Sequence, residues 1–257
     1  MTSGFTVICH YYNEEYLLAW WLKHHYSLFD HGVMIDYGSS DSSNDLIRQL
    51  APGWEIRKSR NPNFDIESCE QEVMEIEREF GGWKTVLNTT EFLFVKNKND
   101  FLNDLNNRGK SIYRANGIVI ADPPGFYKSD PDPLKPLTLQ RFHGYIEKEK
   151  HSSVSRDRFI HKYPDGNYRL GRHDSNHPKA INHPEAYVLW FGFSPWNEKM
   201  IQRKLFIQTR IPRRNKRRGW GVQHFVNETQ LDKMYRDNAA FAEDLRLRND
   251  CKWIFSK

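Results

Sequence analysis

Between residues 5 and 58, short apolar runs alternate with amphipathic stretches, and this order leaves few architectures open. FTVIC (5–9) is rich in β-formers and reads as a buried strand. Asn13 follows as a candidate N-cap, with Glu14 and Glu15 in the first turn, where carboxylates complement the helix dipole. Leu18, Trp21, Leu22, His25 and Leu28 or Phe29 recur at helical spacing, so 14–29 is predicted to be an amphipathic helix. GVMID (32–36) is a second candidate strand, 37–43 a loop of small and polar residues, and NDLIRQL a second helix. This is the order of a parallel sheet with crossover helices. WEIRK (54–58) supplies a third strand, 65–80 a helix closed by Gly81-Gly82, and WKTVLNTTEFLFV (83–95) the next strand. That last run carries a polar break, Asn88-Thr89-Thr90-Glu91, in its middle or at its carboxyl end. Ligands of open parallel sheets bind outside the carboxyl ends of the strands. The loops after the first two strands and the polar break are therefore expected to meet at one edge.

Composition sets the outer limits. A length of 257 residues suits one large α/β domain or such a domain with an extension, and 14% aromatic residues can fill its core. The three cysteines are far apart and form no CxxC pair, which disfavours a disulfide framework or zinc cage and fits a reducing compartment. No apolar run approaches the ~20 residues that span a bilayer, and the first residues lack signal-peptide regions, so a soluble cytoplasmic protein is expected. RIPRRNKRR (210–218) holds six basic residues; the rest of the chain holds 32 basic against 33 acidic residues. The excess is local, which argues for one cationic loop and against a nucleic-acid surface, with a peripheral membrane contact through 210–218 left open.

ICHYYNEEYLLAWWLKHHYSLFDHGVMIDYGSSDSS (8–43) resembles the opening of a family 2-type glycosyltransferase of GT-A fold, in the subgroup with an NEEYLLxxWLxHH…DxGSSD block. Asn13 to Leu18, Trp21-Leu22, His24-His25 and Asp36-x-Gly38-Ser39-Ser40-Asp41 match that block in order and spacing. The likeness covers about the first 125 residues and is looser beyond, where LWFGFSPWNEKMIQRKL (189–205) resembles a late family helix. It implies an α/β fold with a mostly parallel sheet flanked by helices, a GT-A domain over 1–210, and a basic loop and helical extension over 211–257. It also implies a UDP-, GDP- or dTDP-linked sugar donor and inverting transfer to a hydroxyl of a glycan, lipid-linked or protein acceptor. Carried onto this chain, Tyr11, Tyr12, Asn13 and Glu14 would line one wall of the donor site, and Asp36, Gly38, Ser39 and Asp41 the other. Asn13 and Asp41 also fit plain helix caps.

The family holds Mn²⁺ or Mg²⁺ with two aspartates where this chain has Asn88 and Thr90, and only Glu91 is acidic there. Three readings follow: a metal-independent enzyme, one that binds metal weakly through the donor's phosphates with Glu91 and His224 as weak ligands, or a degenerate nucleotide-sugar or carbohydrate binder. Without metal, the leaving diphosphate needs other positive charge, and Arg213, Arg214 and His224 of the 210–224 segment are the candidates. The catalytic base is sought among Asp122 at the end of GIVIAD, Asp174 in the His-rich 169–185 segment, and Glu91. That segment lacks HExxH spacing or a thiolate, which argues against zinc. Residues 137–163 read as a surface helix or hairpin, 186–193 as a late strand, 195–207 as a helix, and 228–248 as an exposed helix with WIF (253–255) docking back.

Overall fold

The computed structural model describes residues 4–150 and 156–256. In chain order its strands and α-helices are β1 (Phe5–Tyr11), α1 (Glu15–His25), β2 (His31–Asp36), α2 (Ser43–Leu50), β3 (Glu55–Lys58), α3 (Ile66–Glu77), β4 (Trp83–Val86), β5 (Glu91–Val95), α4 (Lys98–Asn107), β6 (Ile112–Ala121), β7 (His143–Ile146), α5 (Glu147–Lys150), β8 (Arg158–His161), β9 (Ile181–Phe193), α6 (Glu198–Ile207), α7 (Arg213–Arg217), α8 (Glu228–Ala239) and β10 (Glu243–Asp244). The α/β expectation holds. The central strands β3-β2-β1-β4 are parallel, with Cys9 beside Met34 and Val7 beside Thr85.

Alternation along β1 divides the core into two layers. Phe5, Val7, Cys9 and Tyr11 pack with Leu17, Leu18, Trp21 and Leu22 of α1. Ile8 faces the other way, onto Cys69, Val73 and Ile76 of α3. Burying both faces explains why the first two strands read as continuous apolar runs.

Past β4 the sheet turns antiparallel: β4 pairs β8, β8 pairs β6, β6 pairs β7 and β7 pairs β10. β9 runs parallel to β6 and antiparallel to β5. The expected single strand over 83–95 is thus two strands with different partners. Leu87 still donates to Ile8 O at 3.0 Å; then Glu91 N donates to Asn88 O at 2.9 Å, and Phe191 N on β9 takes up Thr90 O at 2.8 Å. The polar break is the turn at which the chain leaves β1 for β9.

α1 covers the other edge of β5 with side chains. Trp21 Nε1 donates to Glu91 O at 2.8 Å, His24 Nε2 bonds Leu93 O at 2.7 Å, and His25 Nε2 accepts Leu93 N at 3.0 Å. Positions i, i+3 and i+4 of a helix share one face, which is what the Trp-Leu-x-His-His spacing provides.

Two surface expectations are corrected. Arg158–His161 is a buried strand between β4 and β6, although 137–163 read as surface; residues 151–155 of that stretch lie outside the described residues. The basic run holds the helix α7 in place of a loop. Residues beyond 211 share the main core through Leu245, Cys251, Ile254 and Phe255, and β10 adds to the sheet edge. Among the described residues no helix is long and apolar enough to cross a membrane.

Candidate functional site

The loops after β1 and β2 meet, and they hold each other. Asn13 lies in the left-handed region at φ 52°; its N–H donates to Ser39 Oγ at 3.1 Å, and its Oδ1 accepts Ser40 N at 2.8 Å. Asp41 Oδ2 accepts Glu15 N at 3.1 Å, while Glu15 Oε2 accepts Ser42 N at 3.0 Å, so each loop caps the helix that follows the other. Asp36 Oδ1 accepts from Gly38 N and Ser39 N at 3.1 and 2.8 Å, and its Oδ2 from Asn44 at 3.1 Å. Gly38 sits at φ 86°, a conformation that suits glycine in this tight turn.

Beside these loops, at the carboxyl ends of β1 and β4, lies a cavity of about 510 Å³, a size that suits a small-molecule ligand. Tyr11, Tyr12, Glu14, Asn88, Thr90, Glu91 and His224 line it. Asn13, Asp36, Gly38, Ser39 and Asp41 do not; their groups close the loop pair described above. Tyr12 stacks on Phe206 with centroids 5.8 Å apart and lies under the Arg210 guanidinium at 4.0 Å.

The turn at 88–91 is tied to guanidinium groups. Arg158 donates to both oxygens of Glu91, Nε at 2.8 Å, and Glu91 also accepts from Asn88 N at 2.8 Å and Asn88 Nδ2 at 3.1 Å. Burial opposes the Glu91 charge, but Arg158, with the Asn88 N–H and Arg172, outweighs it and holds this carboxyl below its usual range. Arg172 Nη2 donates to Asn88 Oδ1 at 2.9 Å and Nη1 to Glu70 at 2.9 Å. Gly171 and Arg172 are consecutive left-handed residues, at φ 82° and 57°, a costly backbone that aims this side chain inward. On the other side, Arg203 of α6 grips both oxygens of Glu14 at 2.6 Å and reaches Thr89 Oγ1 at 3.4 Å. Arg172 and Arg203 therefore bracket the Asn-Thr-Thr turn.

These side chains do not fit a divalent-cation cage. Asn88 Oδ1 and both Glu91 oxygens face guanidinium groups, and among the described residues no cluster of three or more His, Cys, Asp or Glu side chains is placed to hold a metal.

The β9 wall carries Trp190 and Phe193, with Arg156 3.8 Å above the Trp190 ring and the Lys204 ammonium 5.2 Å from it and 4.3 Å from Phe193. Burial, with Arg203 and Arg156 nearby, lowers Lys204 to about 7. Burial, with Lys204 and Arg203 beside it, lowers His224 to about 4. Burial also lowers His10, with Arg172 adding, and His173, with Arg158 adding, each to about 3. The three imidazoles are neutral at pH 7.

Other expected residues lie elsewhere. Asp122 ends β6 but does not reach the cavity; Trp196 N donates to it at 2.9 Å and Arg141 lies at 3.3 Å. Asp174 is half exposed, 3.4 Å from Arg169 and 3.7 Å from Arg114, also off the cavity. Arg213 and Arg214 do not line it either; Arg214 bonds Asp65 at 2.6 Å and Arg218 bonds Glu67 at 3.0 Å, so α7 is fastened to the start of α3. The cations that line the cavity are Arg156, Arg158, Arg172, Arg203 and Lys204. Of these, sequence reasoning could reach Arg203 and Lys204 through the QRKL end of the late helix; Arg156, Arg158 and Arg172 sit in no motif.

No family model matches the chain, and no curated protein matches it. Among solved structures it is similar to a crystal structure of S. aureus TarS, with 10% identity and a TM-score of 0.35, covering 80% of this chain and 43% of that one. S. aureus TarS 1-349 in complex with UDP gives 12% identity and 0.33 over 50% of this chain and 38% of that one. The complex of TarS 1-349 with UDP-GlcNAc gives 11% and 0.34 over 80% and 66%. The chain spans less than two thirds of the length of each of these structures.

Proposed function

We propose that the protein is a GT-A-type glycosyltransferase that moves a sugar from a nucleoside-diphosphate donor to an acceptor hydroxyl without a protein-held divalent cation. The observation that carries the reading is the Asn88–Thr90 turn at the floor of the cavity, bracketed by Arg172 and Arg203. In the resemblance this turn is the diphosphate position, and guanidinium forks suit phosphate oxygens. In the reaction the acceptor oxygen bonds the sugar's anomeric carbon as the carbon–oxygen bond to the diphosphate breaks. The bonding pair leaves with the diphosphate, whose growing charge meets Arg172 and Arg203. The acceptor proton passes to a carboxylate. Four line the cavity, Glu14, Glu70, Glu91 and Glu147, each beside a guanidinium, and the base is one of them.

A second reading, a donor-binding protein without turnover, is favoured by Asn88 and Thr90, which bring no negative charge for a metal to the turn. One experiment separates the two. UDP-, GDP- and dTDP-sugars are screened by thermal shift and by release of nucleoside diphosphate, with and without EDTA. Transfer is expected with one donor class and unchanged by EDTA. Arg203→Lys, which keeps a charge against Glu14 but loses the fork, should raise the donor Kd about tenfold, in line with one charged hydrogen bond. Arg213→Ala with Arg214→Ala should leave it unchanged. Binding without turnover selects the second reading, and no binding by any donor defeats both.

A further inference from the structure

Arg172 and Arg203 meet the turn, but two more cations in the cavity do not touch it. Gly192 lies so close under Trp190 that a Cβ there would stand 2.2 Å from the indole, so only glycine lets this ring lie across the strand. Arg156 lies 3.8 Å above the ring, and the Lys204 ammonium lies 5.2 Å from the same ring. Arg156 Nε is buried without a hydrogen bond, its nearest carboxylate, Glu147, being 3.6 Å away; Lys204 forms no ion pair within 4 Å among the described residues. Arg156, with Glu147 at 3.6 Å, and Lys204, set about one ring, keep a positive charge in the cavity that an entering anion would offset. Phosphate or carboxylate oxygens are the groups that suit both cations.

We propose that Arg156 and Lys204, set on Trp190, form an acceptor subsite for a saccharide that carries an oxyanion, a carboxylate or a phosphate. The assignment to a sugar acceptor rests on the glycosyltransferase reading; the binding of an oxyanion by the pair does not.

The test measures binding by titration calorimetry, independent of turnover. The probes are glucuronate, glucose 6-phosphate, glucose, inorganic phosphate and UDP, against the full chain and two variants, Lys204→Met and Arg156→Gln. At least one charged sugar should bind the wild type tenfold or more tightly than glucose, and more tightly than inorganic phosphate. Which of the two binds identifies the oxyanion. Both variants should lose that preference while UDP affinity stays within twofold, and the charged sugar should bind in the presence of saturating UDP. Three results would overturn the subsite: equal binding of glucose, a preference that survives in both variants, or displacement by UDP, which would give the pair to the donor's diphosphate. Charged-sugar binding in a protein that binds no nucleotide would sustain the subsite and defeat the transferase reading instead.

Discussion

Asn88 gives a hydrogen bond to Glu91 Oε1 at 3.1 Å and takes one from Arg172 at 2.9 Å. An aspartate there would set two buried carboxylates in contact where an amide now links a carboxylate to a guanidinium. The chemistry of the turn thus follows from Glu91, which in turn depends on Arg158. Both side chains are buried, so removing one partner leaves the other charged without compensation. Arg158→Met should lower unfolding stability by about 3–5 kcal/mol. Adding Glu91→Gln, whose amide oxygen still accepts Asn88 N–H, should recover most of that loss. Urea denaturation of the two variants measures it; a double variant no more stable than the single one would mean that packing, and not charge, sets the effect.

At the scale of elements, the docking of α1 on β5 makes a second prediction. His25 is buried, and its ring accepts Leu93 N–H at 3.0 Å. His25→Phe keeps the packing and orphans that donor, which should cost about 1–3 kcal/mol, while His25→Gln, with an acceptor in reach, should cost less. Equal losses in urea melts would assign the effect to ring packing. The same element shows what a sequence discloses. The α1 face and the β1, β2 and β3 strands were readable because period and alternation are local properties. The separation of β4 from β5 was not, because partner choice for a short apolar run depends on distant residues such as Phe191. For the same reason, charge density pointed to 210–218, where Asp65 and Glu67 now neutralise Arg214 and Arg218. The cavity cations come from β8, its approach, the 171–173 turn and, as an adjacent pair, α6, and only the folded chain assembles them.

The molecule as a whole is built around imidazoles held neutral. Burial lowers His10 and His173 to about 3, with Arg172 and Arg158 respectively facing them. Burial also lowers His224, beside Lys204, Arg203 and Arg156, to about 4, and His24, packed against Phe92 and Phe94, to about 4. In the unfolded chain each takes up a proton near pH 6.5. Below that value the unfolded state binds more protons than the folded one, so stability falls as pH falls, down to the folded values of about 3 to 4. Asp65, which Arg214 holds at about 2, does not oppose this trend in the window, whereas Glu70 and Asp122, raised by burial, oppose it toward its lower end. Each histidine adds a slope approaching about 1.4 kcal/mol per pH unit, large against a total stability of about 5–15 kcal/mol. The urea midpoint should therefore decline gently from pH 8 to 7, where Lys204 at about 7 is protonated mainly in the unfolded chain, and more steeply between 6.5 and 5. His24→Gln, whose amide can still donate to Leu93 O, should flatten that decline by less than about a quarter, since burial also lowers His25 and His143. A midpoint constant from pH 7 to 5 would show that these rings take protons without unfolding the site.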